Sequence, residues 1–292
     1  MSPSLSSPSH RFAFPPPSPD ALRRFEIFDT LFDLSGAVLR PAYRCGTLAT
    51  ESKEMLSPLV TAADRAVERV LREAIHERFP MDGIVGEEEA PSAGSSPFEW
   101  VIDPIDGTSS LVRGLPLFGT LIGLIDKSTG QIVCGGADQP ILGDRILAQR
   151  GAPPRWNGEV VVNRFSKTVP TNAALTDACL CATTPQMFTT SAEQRVREAV
   201  MTHCRRSAWG GDWFNYILMI GGKSTIPLVI VEAGLQFYDI CALVPIIEAV
   251  GGVISDWDGG PITPRTTQVL AAPNRALGEA LQRLVADARG TP

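Results

Sequence analysis

The chain has 292 residues, 44% hydrophobic and 20% charged, which excludes wholesale disorder and leaves room for one large domain or two small ones. A net charge of −6 disfavours a nucleic-acid ligand, and no apolar run reaches the ~18 residues of a membrane span. Six cysteines (Cys45, Cys134, Cys179, Cys181, Cys204 and Cys241) are too sparse for a disulfide scaffold and show no C-x-x-C spacing, so they read as reduced thiols and the compartment as cytoplasmic.

Residues 1–19 are rich in Ser and Pro, contain no secretory apolar core, and are expected to form a disordered tail before a single domain over 20–288. Ser18-Pro19-Asp20 suits a helix start, and Leu22, Phe25, Phe28, Phe32 and Leu39 predict one helix from there to Pro41. Thr61 suits the cap of a second helix whose stripe runs through Val67, Val70, Leu71, Ala74, Ile75 and Phe79 before Pro80. Strands are expected at 83–85 and 100–102. A hairpin of 117–125 and 131–137 follows, with further strands at 145–149 and 160–162.

Beyond that, strand and helix alternate. The pattern gives a strand at 179–183 and a helix opened by a capping box at 191–194. It then gives a helix at 213–220, a strand at 226–231 and an apolar helix at 240–250. Strands at 253–255 and 268–271 and a terminal helix at 276–288 complete the chain. The order implies a layered α/β fold.

Four acids stand where acids are otherwise unwelcome. Glu87 follows the strand at 83–85, Asp103 and Asp106 end and follow the apolar run Trp100-Val101-Ile102, and Asp239 precedes an apolar helix. In Asp103-Pro104-Ile105-Asp106-Gly107-Thr108 the proline bars regular helix, so two carboxylates three residues apart can converge. An all-oxygen set selects a hard divalent cation, Mg2+ first. A pair of simple turns is the plainer reading of Asp-Pro and Asp-Gly taken singly.

These residues resemble the inositol monophosphatase family of Mg2+-dependent, lithium-sensitive phosphomonoesterases. The resemblance rests on Gly86-Glu87-Glu88 and on Trp100 to Thr108. Tyr238-Asp239-Ile240-Cys241-Ala242 with Glu248 to Gly252 adds to it, and Lys53 with Val60 to Asp64 adds more weakly. It implies a layered α-β-α-β-α sandwich, with a metal-carrying half over about 20–160 and a substrate half over about 161–288. By the same resemblance, Glu87, Asp103, the Ile105 carbonyl, Asp106 and Asp239 would hold two or three Mg2+ ions. Asp106, Gly107, Thr108, Asp212, Glu232 and Asp239 would bind substrate. Thr108 and Asp64, with Glu87, would position and deprotonate the attacking water. A homodimer acting on a small phosphate ester, with no nucleic-acid or membrane partner, is likewise implied.

Leu115 to Leu124, Arg206 to Asp212 and Val231 to Glu248 resemble the histidinol-phosphatase branch, although Ser109-Ser110-Leu111 follows the Asp-Gly-Thr motif without that branch's basic residue. Asp212 and Glu232 would form an acidic wall suited to the cation of L-histidinol phosphate. Asp212 as a helix cap and Glu232 as a surface acid are the plainer alternatives, and Lys53 reads equally as an exposed loop lysine. Trp209, Trp213, Phe237 and Tyr238 line the pocket or fill the core. Inositol monophosphate, or another sugar or nucleotide phosphate, is the second substrate reading. A non-catalytic metal-binding regulator is the reading from another class.

Overall fold

The computed structural model describes residues 16–43, 50–51, 60–163, 175–221 and 224–290. Lys53, Cys45 and most of the expected tail lie outside them. Ser18 caps α1 (Pro19–Phe25), accepting from Ala21 N at 3.2 Å, so the last residue assigned to the tail, Pro19, is the first of this helix. The single expected helix is two. The chain turns at Glu26-Ile27 and restarts as α2 (Phe28–Ala42), and Pro41 lies inside its last turn. Pro41 does not end the helix, because the Tyr43 amide beyond it still bonds Leu39 O at 3.0 Å.

A short ladder of β1 (Thr50–Glu51) and β2 (Val60–Thr61) leads into α3 (Ala62–Arg78). The first large sheet then forms from β3 (Gly83–Gly86) and β4 (Phe98–Asp106), followed after α4 (Thr108–Val112) by β5 (Gly119–Asp126), β6 (Gln131–Gln139) and β7 (Asp144–Gln149). β8 (Arg155–Trp156) and β9 (Glu159–Val160) close it, so the expected strand at 160–162 shrinks to a short edge. The seven strands lie in sequence order. β3 and β4 are parallel and the rest antiparallel.

The second half gives β10 (Cys179–Ala182), α5 (Ser191–His203) and β11 (Arg206–Trp209), then α6 (Asp212–Ile220), β12 (Leu228–Ala233), α7 (Phe237–Cys241) and α8 (Leu243–Glu248). β13 (Val253–Asp256), β14 (Gln268–Ala272) and α9 (Arg275–Arg289) complete it. The five-stranded sheet has the order β11-β10-β12-β14-β13. β11 was not foreseen, since its residues are mostly exposed and show no alternation. The capping box sits one residue earlier than expected. Thr190 accepts from Glu193 N at 3.2 Å while Glu193 accepts from Thr190 N at 2.9 Å.

Three apolar cores separate five layers. Phe28, Phe32, Leu71 and Ile75 of α2 and α3 pack on Trp100, Ile102 and Ile122 of the large sheet. Its other face packs through Leu121 and Ala137 on Ile217, Ile240 and Ile246 of α6 to α8, which also cover Ile230 and Val269 of the second sheet. Outermost, Val196, Leu277 and Leu281 of α5 and α9 pack on Leu180, Val229 and Leu270. The result is an α-β-α-β-α sandwich. The expected helix over 240–250 breaks at Ala242, which lies so close to the sheet that a Cβ on Gly135 would collide with the Ala242 carbonyl. Among the described residues no helix is long and apolar enough to cross a membrane.

Candidate active site

The site forms where the ends of β3 and β4 meet the first turns of α4, α6 and α7. In a regular strand, residues three apart point to opposite faces. β4 avoids this. Asp103 pairs with Leu121 and Asp106 with Gly119, so three steps on β4 answer two on β5, and a bulge lies between. The extra residue brings both carboxylates to one face. Pro104, with no amide to donate, sits at this irregularity, and its carbonyl accepts from Thr120 Oγ1 at 2.8 Å. The strand expected to stop at Asp103 therefore continues through it.

Gly107 follows at φ +86°, where a Cβ would lie 2.6 Å from the Leu117 carbonyl, so no other residue fits without strain. It caps α4, whose first residue, Thr108, shares its hydroxyl between Ile105 O (2.9 Å) and the buried Asp64 Oδ1 (3.2 Å) on α3.

The acids shift one another. Burial first, then Asp239, Asp64 and Glu88, push the Glu87 carboxyl up to about 8. Burial and the charges of Glu87, Asp106, Asp239 and Asp64 hold Asp103 well above the usual carboxylate range. Asp106 is raised by burial, Asp212 and Asp239, against the pull of a 2.9 Å bond from Trp213 N. Asp239 is raised to about 7, chiefly by burial, although Gln236 N donates to it at 2.6 Å.

The carboxyls meet pairwise, Glu87 with Asp103 and Asp103 with Asp239. Among the described residues no three such side chains already close on one point as a finished ion cage. Asp103 Oδ1 is buried and finds no donor among them. A buried, all-oxygen, mutually repelling set with an orphaned carboxylate oxygen fits a hard divalent cation.

Asp212 opens α6 after Gly210 and Gly211, all three at positive φ, and at φ +41° it is a strained position for a residue with a side chain. Gly211, rather than Asp212, is the cap. The turn sets the Asp212 carboxylate beside Gly107, with Oδ2 3.0 Å from where a Cβ would stand. Glu232 lies within β12 and is 2% exposed. Its oxygens accept from Thr183 N (2.7 Å), Thr183 Oγ1 (2.8 Å) and Tyr216 OH (2.6 Å). Burial raises both acids, and Thr183 pulls both back. A carboxylate offers about four acceptor directions, so Glu232 keeps one.

Asp64, Glu87, Asp103, Ile105, Asp106, Gly107, Thr108, Asp212, Glu232 and Asp239 thus gather in one region. Trp213 goes to the core between the sheets. Thr183 and Tyr216 went unnoticed in the sequence. Thr183 ends a predicted strand and so carried a weak signal, whereas Tyr216 reads as one more apolar helix residue.

Residues 26–289 match the sequence model of the inositol monophosphatase family. The bifunctional phosphatase IMPL2 of Arabidopsis thaliana is 37% identical over 238 residues, 80% of this chain and 64% of the plant protein, so the chain spans less than two thirds of that relative. A histidinol-phosphatase of Streptomyces coelicolor is 30% identical over 83% of this chain and 90% of its own length. An inositol monophosphatase from Zymomonas mobilis superposes with a TM-score of 0.77 at 33% identity, covering 92% of this chain and all of that one.

Proposed function

This chain belongs to the inositol monophosphatase family of phosphoric monoester hydrolases, and on that premise we propose that it is a Mg2+-dependent phosphatase of a small metabolite, with L-histidinol phosphate as its preferred substrate. The observation that supports the metal-dependent reading is the mutual repulsion of the buried Glu87, Asp103, Asp106 and Asp239 beside an Asp103 oxygen that has no donor.

Glu87, Asp103, the Ile105 carbonyl, Asp106 and Asp239 would hold two or three Mg2+ ions, which when bound neutralise phosphate charge and acidify water. The chain's own groups do the rest. The Gly107 and Thr108 amides, at the head of α4, receive the phosphate oxygens. Thr108 Oγ1, held by Asp64, orients the attacking water, and Asp64 and Glu87 stand ready for its proton. Phosphoryl transfer needs such positioning and charge neutralisation more than covalent chemistry.

Two readings of the leaving group compete, and the adjacent Asp212 and Glu232 favour a cationic one. Glu232, fixed by Tyr216 and Thr183, sets the negative field, and Asp212, fixed by its strained turn, reaches toward the phosphate-binding Gly107. The five free, buried cysteines among the described residues support a reducing compartment, the cytoplasm. A homodimer is proposed from family likeness and is open to sedimentation analysis.

The purified protein should release inorganic phosphate from histidinol phosphate with Mg2+ and stop on adding EDTA. Undiminished release after rigorous chelation would overturn the metal reading, and no release at all would favour a non-catalytic regulator. A panel of phosphate esters compared by kcat/KM should rank histidinol phosphate above myo-inositol monophosphate, and the reverse order would transfer the assignment to inositol.

Asp212→Ala should raise KM for histidinol phosphate by about 10- to 150-fold, the worth of one charge-assisted hydrogen bond. It should leave kcat nearly unchanged, since the contact is the same in ground and transition states. Equal damage to a neutral ester would remove the acidic-wall argument.

A further inference from the structure

Glu68, on α3 one turn beyond Asp64, is fully buried, yet it touches none of the groups assigned above to ion or substrate. Its oxygens face the acidic turn that follows β3. Oε2 accepts from Glu88 N at 2.7 Å, and Oε1 accepts from Glu89 N at 3.2 Å and from Arg72 Nε at 2.7 Å. On the other side of Glu87, a Cβ on Gly86 would collide with the Glu68 carboxyl. Glu68 therefore contacts the turn on both flanks of Glu87, by hydrogen bonds to the amides after it and by close packing against the Gly86 backbone before it. Arg72 extends the grip to Glu89 O at 3.2 Å.

The turn needs such an anchor. Glu87, Glu88 and Glu89 are consecutive acids, so the turn crowds three like side chains onto a short stretch of backbone. A hydrogen bond to a charged acceptor is about twice as strong as a neutral one, and a carboxylate held by Arg72 can grip two amides at once.

We propose that Glu68 is a positioning residue that sets Glu87 for Mg2+ binding by holding the backbone on either side of it. Asp64, which holds Thr108, and Glu68, which holds the Glu87 turn, then stand one helical turn apart on α3. This helix becomes a common base for the water-orienting and ion-binding groups. The inference rests on the reading of Glu87 as an ion ligand.

The test is calorimetric titration of Mg2+ into metal-stripped protein, alongside melting of the same metal-free samples. Glu68→Gln keeps the volume and one carbonyl acceptor but loses the charge and the second acceptor. Its Mg2+ dissociation constant should rise about 10- to 100-fold, as when partners behind a ligand are removed. At saturating Mg2+, kcat and substrate KM should return close to wild type. Gly86→Ala, which leaves Glu68 in place but wedges it from the turn, should raise the same constant, and it decides the matter if Glu68→Gln does not fold. An unchanged constant in both variants, or a lower melting temperature with an unchanged constant, overturns the inference alone. Wild-type protein that binds no Mg2+ overturns the ion-ligand reading, and this inference falls with it.

Discussion

Asp106→Asn is expected to lower kcat by about 10³, roughly 4 kcal/mol of transition-state stabilisation, while making the metal-free protein more stable. The amide keeps the shape and can still accept from Trp213 N, now at 2.9 Å, so the head of α6 stays in place. What is lost is one negative charge among those gathered for the ions. In metal-free protein that charge is a liability, because burial, Asp212 and Asp239 all disfavour the ionised form.

The sign follows from linkage. These acids hold protons in the folded state that the unfolded chain releases at ordinary carboxylate pH. Metal-free stability should therefore fall as pH rises from the ordinary carboxylate range through about 7, where Asp239 titrates, to about 8 for Glu87. Melting in EDTA at pH 5.5 and 8.5 should show this loss in wild type and a smaller one in Asp106→Asn. A variant with near-normal kcat, or one less stable than wild type without metal, would place the chemistry elsewhere.

Asp82→Ala should cost about 3–5 kcal/mol of folding stability, because it strands a buried cation. Asp82, just before β3, takes Arg24 of α1 bidentately, Nε to Oδ2 at 2.6 Å and Nη2 to Oδ1 at 2.7 Å. It also accepts from Trp100 Nε1 at 2.9 Å and Ser96 Oγ at 2.6 Å. The guanidinium lies over the rings of Phe79 and Phe98, 4.6 and 4.0 Å from their centroids, and Arg24 is largely buried. Removing the acid takes the acceptor from the Trp100 indole and leaves Arg24 with only the Asp20 carbonyl, 2.9 Å from Nη1, at the seam joining α1 to the large sheet. Urea unfolding should show a lower midpoint with an unchanged slope. Replacing both partners, as in Arg24→Met with Asp82→Leu, should recover much of the loss, since the penalty is that of an unpaired charge. A loss under about 1 kcal/mol in the single variant would mean that water or another group reaches Arg24.

Much of the candidate site was legible because its chemistry is local. Asp103 to Thr108 announces itself through acids and a proline crowded at the end of an apolar strand, and Gly107 is required by a backbone turn that its neighbours impose. Glu68 and Tyr216 left no such mark. A glutamate on an amphipathic helix reads as solvated, and a tyrosine in an apolar helix reads as core. Each gains its meaning from a partner far away in sequence, the Glu88 amide for one and Glu232 for the other.

The layered α/β class and most of the elements were legible in the sequence, because periodicity, capping and turn chemistry act over a few residues. Tertiary structure alone decided the bulge that brings Asp103 and Asp106 to one face. It also decided the break of the apolar helix at Ala242 against Gly135, the edge strand β11, and the burial that raises the acids as a group. Register against a neighbouring strand, close approach of two backbones, and exclusion of water from a cluster are properties of pairs of segments, and no single segment encodes them.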